Sequence, residues 1–306
     1  MTTAGPSGLR RSVIRLATRG SALALAQARL IAGLIGDEVE LVEVRTSGDA
    51  RRAVGDKSRW VKEIEEALLD GRADLAVHSA KDVPGVLPDG LAIVGVPQRA
   101  DARDALCGGP SLDALPEGAV VGTSALRRRS QLLAARPDLD VRELRGNVDT
   151  RLRKLADGDF DSIVLAAAGL ARLGRPDEGV PVGTELLTPA PGQGCLALEA
   201  RADDDRMREL AAAVTDQAAL TAFTAERALV DGLDASCDTP VGAHAELVDG
   251  GTRLRVSAFA GMPDGSTWVR DTREGDAASP SALGREVAFR MLAAGAAEVL
   301  ESAARA

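Results

Sequence analysis

The feature of this sequence that most constrains its fold is an internal repeat. The pattern D-G-x-x-D-x-x-V-x-x-A occupies residues 70–80 and recurs at residues 157–167. In each copy a segment with helical periodicity precedes the glycine, and an apolar strand-like run follows it. A shorter echo links residues 18–23 with residues 123–126, each where a strand leads into a helix. These repeats predict two related α/β units. The alternative is that a helix-turn-strand sequence pattern recurs in any α/β protein, without a relation between the units.

Strands and helices alternate through the first two thirds of the chain, which predicts mainly parallel sheets. Residues 13–17 are predicted to form the first strand. Ser21 is the expected N-cap of the helix that follows, with Ala26, Leu30 and Leu34 four apart on one face.

The pattern changes after residue 218. One helix is followed by strand-like runs at 243–248, 254–259 and 267–270, and by a last helix striped with Leu283 and Val287. Strands that adjoin in sequence and are joined by glycine-rich turns predict an antiparallel sheet. This part is therefore expected to be a third, α+β unit.

The charge and the cysteine content exclude several classes of protein. Forty-six acidic and 37 basic side chains give a net charge of −9, and only six residues are aromatic, which argues against nucleic acid or an anionic membrane as a partner. Three widely spaced cysteines do not form a disulfide framework. A cytoplasmic protein without membrane-spanning helices is expected.

A basic segment at residues 122–154 stands out from this acidic background, with nine basic and four acidic side chains. Ser124 is the predicted N-cap of a helix whose first turn carries Arg127 and Arg128, where the helix dipole disfavours cations. Amide groups and guanidinium forks together suit a carboxylate or phosphate. Arg19, beside Ser21 in the first unit, favours an anion-binding cleft over the alternative of a solvated basic face.

Residues 78–84 place Lys81 and Asp82 just beyond a strand, at the edge where open α/β sheets bind ligands. Asp82 could offset a cationic intermediate or simply cap a loop. His78 fits a core histidine better than a base. With two histidines in the chain, neither a histidine-rich metal site nor a Ser-His-Asp triad has support.

Two glycine-rich segments and the cysteines complete the candidates. Residues 55–58 fail as a P-loop, and residues 192–195 lack the third glycine of a dinucleotide fingerprint. Cys237 lies in a turn-rich segment and fits a covalent attachment point, whereas Cys107 and Cys195 adjoin apolar runs and are expected to be inert.

Together these residues resemble the porphobilinogen deaminase (hydroxymethylbilane synthase) family, from about Leu16 to the last helix. The motifs are many and ordered. They are A-T-R-G-S at 17–21, A-V-H-S-A-K-D-V-P at 76–84, V-G-T-S-A-L-R-R at 121–128, L-R-G-N-V-D-T-R at 144–151, P-G-Q-G at 191–194 and T-A-E-R at 224–227.

The resemblance implies two periplasmic-binding-protein-like α/β domains with a hinged cleft, and a third small α+β domain that carries the cofactor cysteine. The implied domains are 9–98 with 194–216, 99–193, and 217–306. It also implies a monomer whose small-molecule substrate is porphobilinogen.

The family's chemistry implies roles for individual residues. A dipyrromethane joined to Cys237 by a thioether primes the addition of four porphobilinogen units, and Asp82 stabilises the electron-poor azafulvenium left when ammonia departs. The residues expected to contact cofactor or substrate are Arg19, Ser21, Lys57, Trp60, Ser79, Lys81, Thr123, Ser124, Arg127, Arg128, Arg145, Arg151, Arg172 and Gln193.

Two departures keep alternatives open. The segment after residues 46–49 is shorter than in typical members, and Ala235-Ser236 replaces the usual pair of glycines before the cysteine. A diverged paralogue making a different pyrrole oligomer is one alternative. A non-catalytic dicarboxylate-binding protein is the other.

Overall fold

The computed structural model describes residues 13–36, 38–45, 61–235 and 239–305. Three predicted site residues, Lys57, Trp60 and Cys237, lie outside the described residues.

The first unit is built on a five-stranded sheet with flanking helices. The strand order is β2-β1-β3-β10-β4. The strands are β1 (Ile14–Arg19), β2 (Val39–Val44), β3 (Leu75–Ser79), β4 (Leu91–Gly95) and β10 (Leu196–Arg201), and the helices are α1 (Ala22–Ile35), α2 (Lys62–Leu69) and α6 (Asp205–Ala213). Ile14, Leu16, Leu75 and Leu198 are buried between this sheet and its helices.

The second unit repeats the architecture. Its strand order, β7-β6-β8-β5-β9, matches that of the first sheet position by position. The strands are β5 (Asp104–Cys107), β6 (Val120–Gly122), β7 (Asp140–Arg142), β8 (Ser162–Ala166) and β9 (Val180–Pro181), and the helices are α3 (Leu126–Ala135), α4 (Val148–Ala156) and α5 (Ala167–Arg172).

The internal repeat has the same structure in both units. Asp74 accepts a hydrogen bond from Arg15 N at the start of β1, and Asp161 accepts one from Val120 N at the start of β6. The glycine of each copy adopts a positive φ, 67° and 81°, which turns the helix end toward the strand. This shared hydrogen-bonding pattern confirms the predicted relation between the two units.

The sheets are mainly parallel as predicted, except that the fourth strand of each runs in the opposite direction. β10 is antiparallel to β3 and β4, and β5 is antiparallel to β8 and β9. Each of these strands follows a segment in which the chain crosses from the other unit. The chain therefore enters the sheet at the carboxyl ends of the parallel strands and runs in the opposite direction. Hydrophobic periodicity is the same for both strand directions, so it could not predict this.

The third unit has the predicted antiparallel sheet. Its strands pair in the order β11-β12-β13. The elements are α7 (Gln217–Gly232), β11 (Val241–Val248), β12 (Arg253–Gly261), β13 (Trp268–Asp276), α8 (Pro280–Ala293) and α9 (Ala296–Arg305). The predicted last helix is two helices, since Gly295 with φ 95° separates α8 from α9. The two α/β units and this α+β unit confirm the predicted fold class.

The apolar face that the spacing of Ala26, Leu30 and Leu34 indicates is not the face of α1 that packs against the sheet. Leu30 and Leu34 are 47% and 49% exposed, whereas Gln27, Ala28 and Ile31 are buried. The sequence did not indicate this buried face because Gln27 is polar. Its burial is possible because Gln27 Nε2 donates a hydrogen bond to Ser79 Oγ at 2.8 Å.

Among the described residues, no helix has both the length and the apolar character needed to cross a membrane.

Candidate functional site

The carboxyl ends of the parallel strands in the two units face each other. α1, which follows β1, packs against α5, which follows β8. Leu23 Cδ2 lies 3.9 Å from the position that a Cβ on Gly169 would take. The ends of β1 and β8 therefore lie close together, and Ser79 at the end of β3 joins them through Gln27 of α1. We term this region, at the sheet edge where ligands of open α/β sheets bind, the cleft.

Serine side chains shape the first unit's side of this cleft. Ser21 Oγ accepts a hydrogen bond from Ala24 N at 3.3 Å, which confirms Ser21 as the N-cap of α1. Ser79 ends β3 and is held by Gln27. Arg19 is the last residue of β1 and is half-buried. Lys81 and Asp82 lie on a 3-10 turn at residues 80–82, and both are partly exposed.

This 3-10 turn is fixed by the chain segment that returns from the second unit to the first. Ala80 N donates to Cys195 O at 3.1 Å. Gly192, with φ 70°, passes so close to the turn that a Cβ on it would lie 3.0 Å from Ala80 C. The position of Asp82 is thus set by the segment that joins the two units.

The segment that returns to the first unit also crosses the segment, near Ala100, that leads from the first unit to the second. Ala100 N donates to Gly194 O at 3.1 Å, and a Cβ on Gly194, with φ 88°, would lie 2.4 Å from Ala100 O. Glycines at 192 and 194 are therefore required by close backbone approach. This accounts for the glycine-rich run that fails as a nucleotide motif.

Beside this crossing lies a buried group of charges, Asp104 with Arg127 and Arg128, which we term the Arg-Asp cluster. Arg127 Nη1 lies 2.8 Å from Asp104 Oδ2, and Arg128 Nη2 lies 2.8 Å from Oδ1. Gln193 Nε2 donates to the same Oδ1 at 2.8 Å. Arg127 also donates to Thr188 O at 2.6 Å. The cluster therefore connects β5, α3 and the returning segment.

Burial and charge oppose each other in this cluster. Burial acts to raise the pKa of Asp104, but the two guanidiniums outweigh it and hold that pKa well below its usual value. Burial lowers the pKa of Arg127 in spite of Asp104, and the neighbouring Arg128 lowers it further. Two guanidinium groups therefore share the single carboxylate of Asp104.

The start of α3 corrects one prediction. The N-cap position is Ala125 and not Ser124, and no side chain caps it. The helix begins later than expected because Thr123 Oγ1 accepts from Ala125 N at 3.2 Å. Exposed Ser124 instead accepts from Arg151 Nη2 at 3.2 Å. A cavity of about 470 Å³ opens at this end, lined in part by Thr123, Ser124 and Met262.

The other predicted arginines lie in different surroundings. Burial lowers the pKa of Arg151 to about 10, with a further lowering by Arg128, and Arg151 Nε donates to Gly146 O. Arg172 Nη2 donates to Gly194 O at 2.7 Å. Arg145 is exposed and paired with Glu143 at 2.7 Å. Arg151 and Arg172 are therefore tied to the site's backbone, and Arg145 lies on the surface beside it.

Two cysteines and a histidine have the predicted core character. Burial raises the pKa of Cys107 to about 11 and that of Cys195 to about 12, so neither is a thiolate at neutral pH. His78 is buried with Nε2 2.8 Å from Glu199 Oε2. His, Cys, Asp and Glu side chains of the described residues form no group of three suited to a metal ion.

Sequence reasoning assigned no role to Asp104, Arg99 or Glu226. Glu226 is fully buried and binds Arg99 Nη1 at 2.7 Å, Gly192 N at 2.6 Å and Ala245 N at 2.7 Å, so it joins both crossing segments to the third unit. The sequence did carry one indication of the role of Asp104, which is its position directly before the apolar run at 105–107. An acidic residue at the start of a buried strand needs a cationic partner, because a buried charge is costly without one.

Comparison with known proteins identifies two matching family models. The model described as porphobilinogen deaminase, dipyromethane cofactor binding domain, matches residues 14–209. The model described as porphobilinogen deaminase, C-terminal domain, matches residues 220–293.

A relative and two solved structures were also found. The relative, from Deinococcus radiodurans, is named porphobilinogen deaminase and is 46% identical over 94% of this chain and 98% of its own length. A periplasmic substrate-binding protein of an ABC transporter from Coxiella burnetii is 15% identical, covering 68% of this chain and 94% of that one, with a TM-score of 0.39. The periplasmic VFT2 domain of BvgS from Bordetella pertussis is 16% identical over 66% and 86%, with a TM-score of 0.37. From the two family models and the Deinococcus relative we conclude that the chain belongs to the porphobilinogen deaminase family.

Proposed function

We propose that this protein is a hydroxymethylbilane synthase. It joins four porphobilinogen molecules head to tail on a covalent dipyrromethane primer, releases ammonia at each step, and frees the linear tetrapyrrole by hydrolysis. The enzyme is a transferase of tetrapyrrole and heme biosynthesis.

The observation that carries this proposal is the set of contacts made by residues 192–194. Gly192 packs on the turn that bears Asp82, Gln193 binds Asp104 of the Arg-Asp cluster, and Gly194 O accepts from Arg172. One short segment therefore fixes a carboxylate for a cationic ring next to guanidinium groups for acidic side arms.

The described residues fit a dipyrromethane. Buried Arg127 Nε, Arg172 Nε and Gln193 Oε1 have no hydrogen-bond partner within the described part of the chain, and such atoms require one. Guanidinium donors suit the acetate and propionate arms of pyrroles. When bound, the dipyrromethane supplies a pyrrole carbon as the nucleophile. Its attachment to Cys237 is part of the proposal.

The chain's own groups then bind and orient the substrate. The Asp82 carboxylate accepts hydrogen bonds from pyrrole N–H groups and stabilises the positive ring left by departing ammonia. Arg127, Arg128, Arg151 and Arg172 hold carboxylate arms. The residues proposed to complete the pocket are Arg19, Ser21, Lys57, Trp60, Ser79, Lys81, Thr123, Ser124, Arg145 and Gln193.

The proposal extends to organisation and setting. The domains are residues 9–98 with 194–216, residues 99–193, and residues 217–306. The crossing segments between the first two domains form the hinge. The protein acts as a cytoplasmic monomer without nucleic acid.

Intact mass spectrometry and product analysis test the function together. The purified protein is expected to exceed its sequence mass by one dipyrromethane, and Cys237→Ser to lack that increment. Cys107→Ala, at a buried thiol outside the proposed pocket, is the matched control and should retain it. Porphobilinogen should yield ammonia and a linear tetrapyrrole that cyclises, with loss of water, to uroporphyrinogen. An unmodified wild-type protein that binds dicarboxylates without releasing ammonia would refute the proposal, and a product of another length would identify a diverged paralogue.

A further inference from the structure

The Arg-Asp cluster contains one carboxylate whose role the family comparison leaves unassigned. Asp104 is completely buried at the start of β5 and contacts Arg127, Arg128 and Gln193. Among the residues that the structure describes, it is the only carboxylate paired with either guanidinium. The cluster therefore carries a net charge of one positive unit.

One donor beside Asp104 points to an anionic ligand. Arg127 Nε is buried without a hydrogen-bond partner among the described residues, and the Arg127 side chain is more than nine-tenths buried. Two acceptors of the cluster, Gln193 Oε1 and Asp104 Oδ2, are likewise buried without a hydrogen-bond donor in the described part of the chain. No carboxylate of a described residue neutralises the remaining charge, and Arg151 lies near enough for the charge of Arg128 to lower its pKa. A buried excess positive charge is unfavourable until an anion joins it.

We propose that Asp104 is a positioning residue that limits the Arg127–Arg128 pair to one carboxylate arm of the bound pyrrole chain. This inference rests on the proposed function. One arm brings the cluster to neutrality, whereas a neutral residue at position 104 would leave room for a second anion. The same carboxylate holds both guanidiniums in place through Oδ1 and Oδ2, so it fixes where the arm binds.

The physical consequence concerns release as well as binding. The chain gains carboxylates with each porphobilinogen added, and it has to move past the pair as it grows. A pair with a single unit of excess charge holds one arm and lets it exchange, while a pair with two units holds the chain more tightly. Asp104 thus favours turnover over binding.

The test compares sulfate-dependent stability in purified holoprotein. The variants are Asp104→Asn, Asp104→Glu, Arg127→Gln and the double variant Asp104→Asn/Arg127→Gln. Asp74→Asn, which breaks the ion pair with Arg15 elsewhere in the first unit, controls for loss of a paired carboxylate. Heat-denaturation midpoints are measured in sodium sulfate and in sodium chloride at equal ionic strength.

The added charge in Asp104→Asn should raise the apparent sulfate affinity about tenfold over wild type. Asp104→Glu and the double variant restore the net charge and should respond like wild type, whereas Arg127→Gln should respond less. Equal sulfate responses of wild type and Asp104→Asn would overturn the proposal. If Asp104→Asn does not fold, an unchanged response in Arg127→Gln overturns it.

Kinetics with porphobilinogen separate this inference from the proposed function. Asp104→Asn should lower both KM and kcat, with longer pyrrole chains retained on the protein in intact mass spectra. A merely structural role would lower the amount of active enzyme and leave KM and the chain lengths unchanged. A wild-type protein that does not turn over porphobilinogen refutes the proposed function, while the sulfate comparison still decides the role of Asp104.

Discussion

Replacing Glu226 with glutamine should destabilise the protein more than any surface substitution. Glu226 is fully buried, and its ion-pair partner Arg99 is 13% exposed. The carboxylate accepts hydrogen bonds from two backbone amides, Gly192 N and Ala245 N, as well as from Arg99. A glutamine presents an NH₂ group to one side of this arrangement and leaves a buried donor facing a donor.

The magnitude follows from these contacts. Removing one partner of a buried ion pair costs about 3–5 kcal/mol, since the other charge stays buried without compensation. One unsatisfied backbone N–H accounts for about 1–3 kcal/mol of such a loss. We therefore expect Glu226→Gln to lower the free energy of unfolding by about 3–5 kcal/mol.

Urea denaturation of the holoprotein, followed by circular dichroism, measures this loss. Glu274→Gln, which breaks a partly exposed surface pair with Arg255, is the control and should cost less than about 1 kcal/mol. The double variant Arg99→Met/Glu226→Gln should recover part of the loss because it removes both charges. Equal unfolding midpoints for Glu226→Gln and Glu274→Gln would refute the reasoning.

Three further predictions concern a glycine, a carboxylate of the site and a buried acid. Gly194→Ala should lower the free energy of unfolding, measured by urea denaturation, by more than about 2 kcal/mol, because the new Cβ would lie 2.4 Å from Ala100 O. Gly158→Ala, at φ 81° with no atom within 4 Å, should lower it by about 1 kcal/mol, and equal losses for the two variants would contradict this. Asp82→Asn should lower kcat by about 100-fold or more with an unchanged unfolding midpoint, and retained activity would remove Asp82 from the proposed chemistry. Burial and then Glu199 raise the pKa of Glu65 to about 7 from 4.5, so the unfolded chain loses this proton first and the group's contribution to stability falls as pH rises from 4.5 to 7. The free energy of unfolding of Glu65→Gln, measured by urea denaturation, should therefore rise relative to that of wild type by on the order of 1–3 kcal/mol between pH 5 and pH 8. A difference between the two proteins that does not change with pH would disprove this.

The sequence predicted features that depend on local chemistry. The turn glycines of the repeat and the Ser21 cap follow from residue type and spacing, because a positive φ and an exposed helix amide are satisfied within a few residues. Strand direction was not predictable, since β5 and β10 have the same periodicity in either direction. It depends on where the chain crosses between units.

The interior of the site was also beyond prediction from the sequence. Three successive basic residues at 127–129 are equally consistent with a solvated face and with a buried cluster. The difference is Asp104, which is more than twenty residues away in sequence and meets the arginines only when the second unit folds. The polar residue Gln27 likewise gave no indication that its face of α1 is buried.

The most direct test of the account is a limited-turnover experiment that follows protein mass and ammonia together. Substoichiometric porphobilinogen is added to the holoprotein, and intact mass is recorded alongside released ammonia. The account predicts mass increments of whole pyrrole units, each matched by one ammonia and all absent in Cys237→Ser. Ammonia release with no mass increment, or increments that persist in Cys237→Ser, would contradict it.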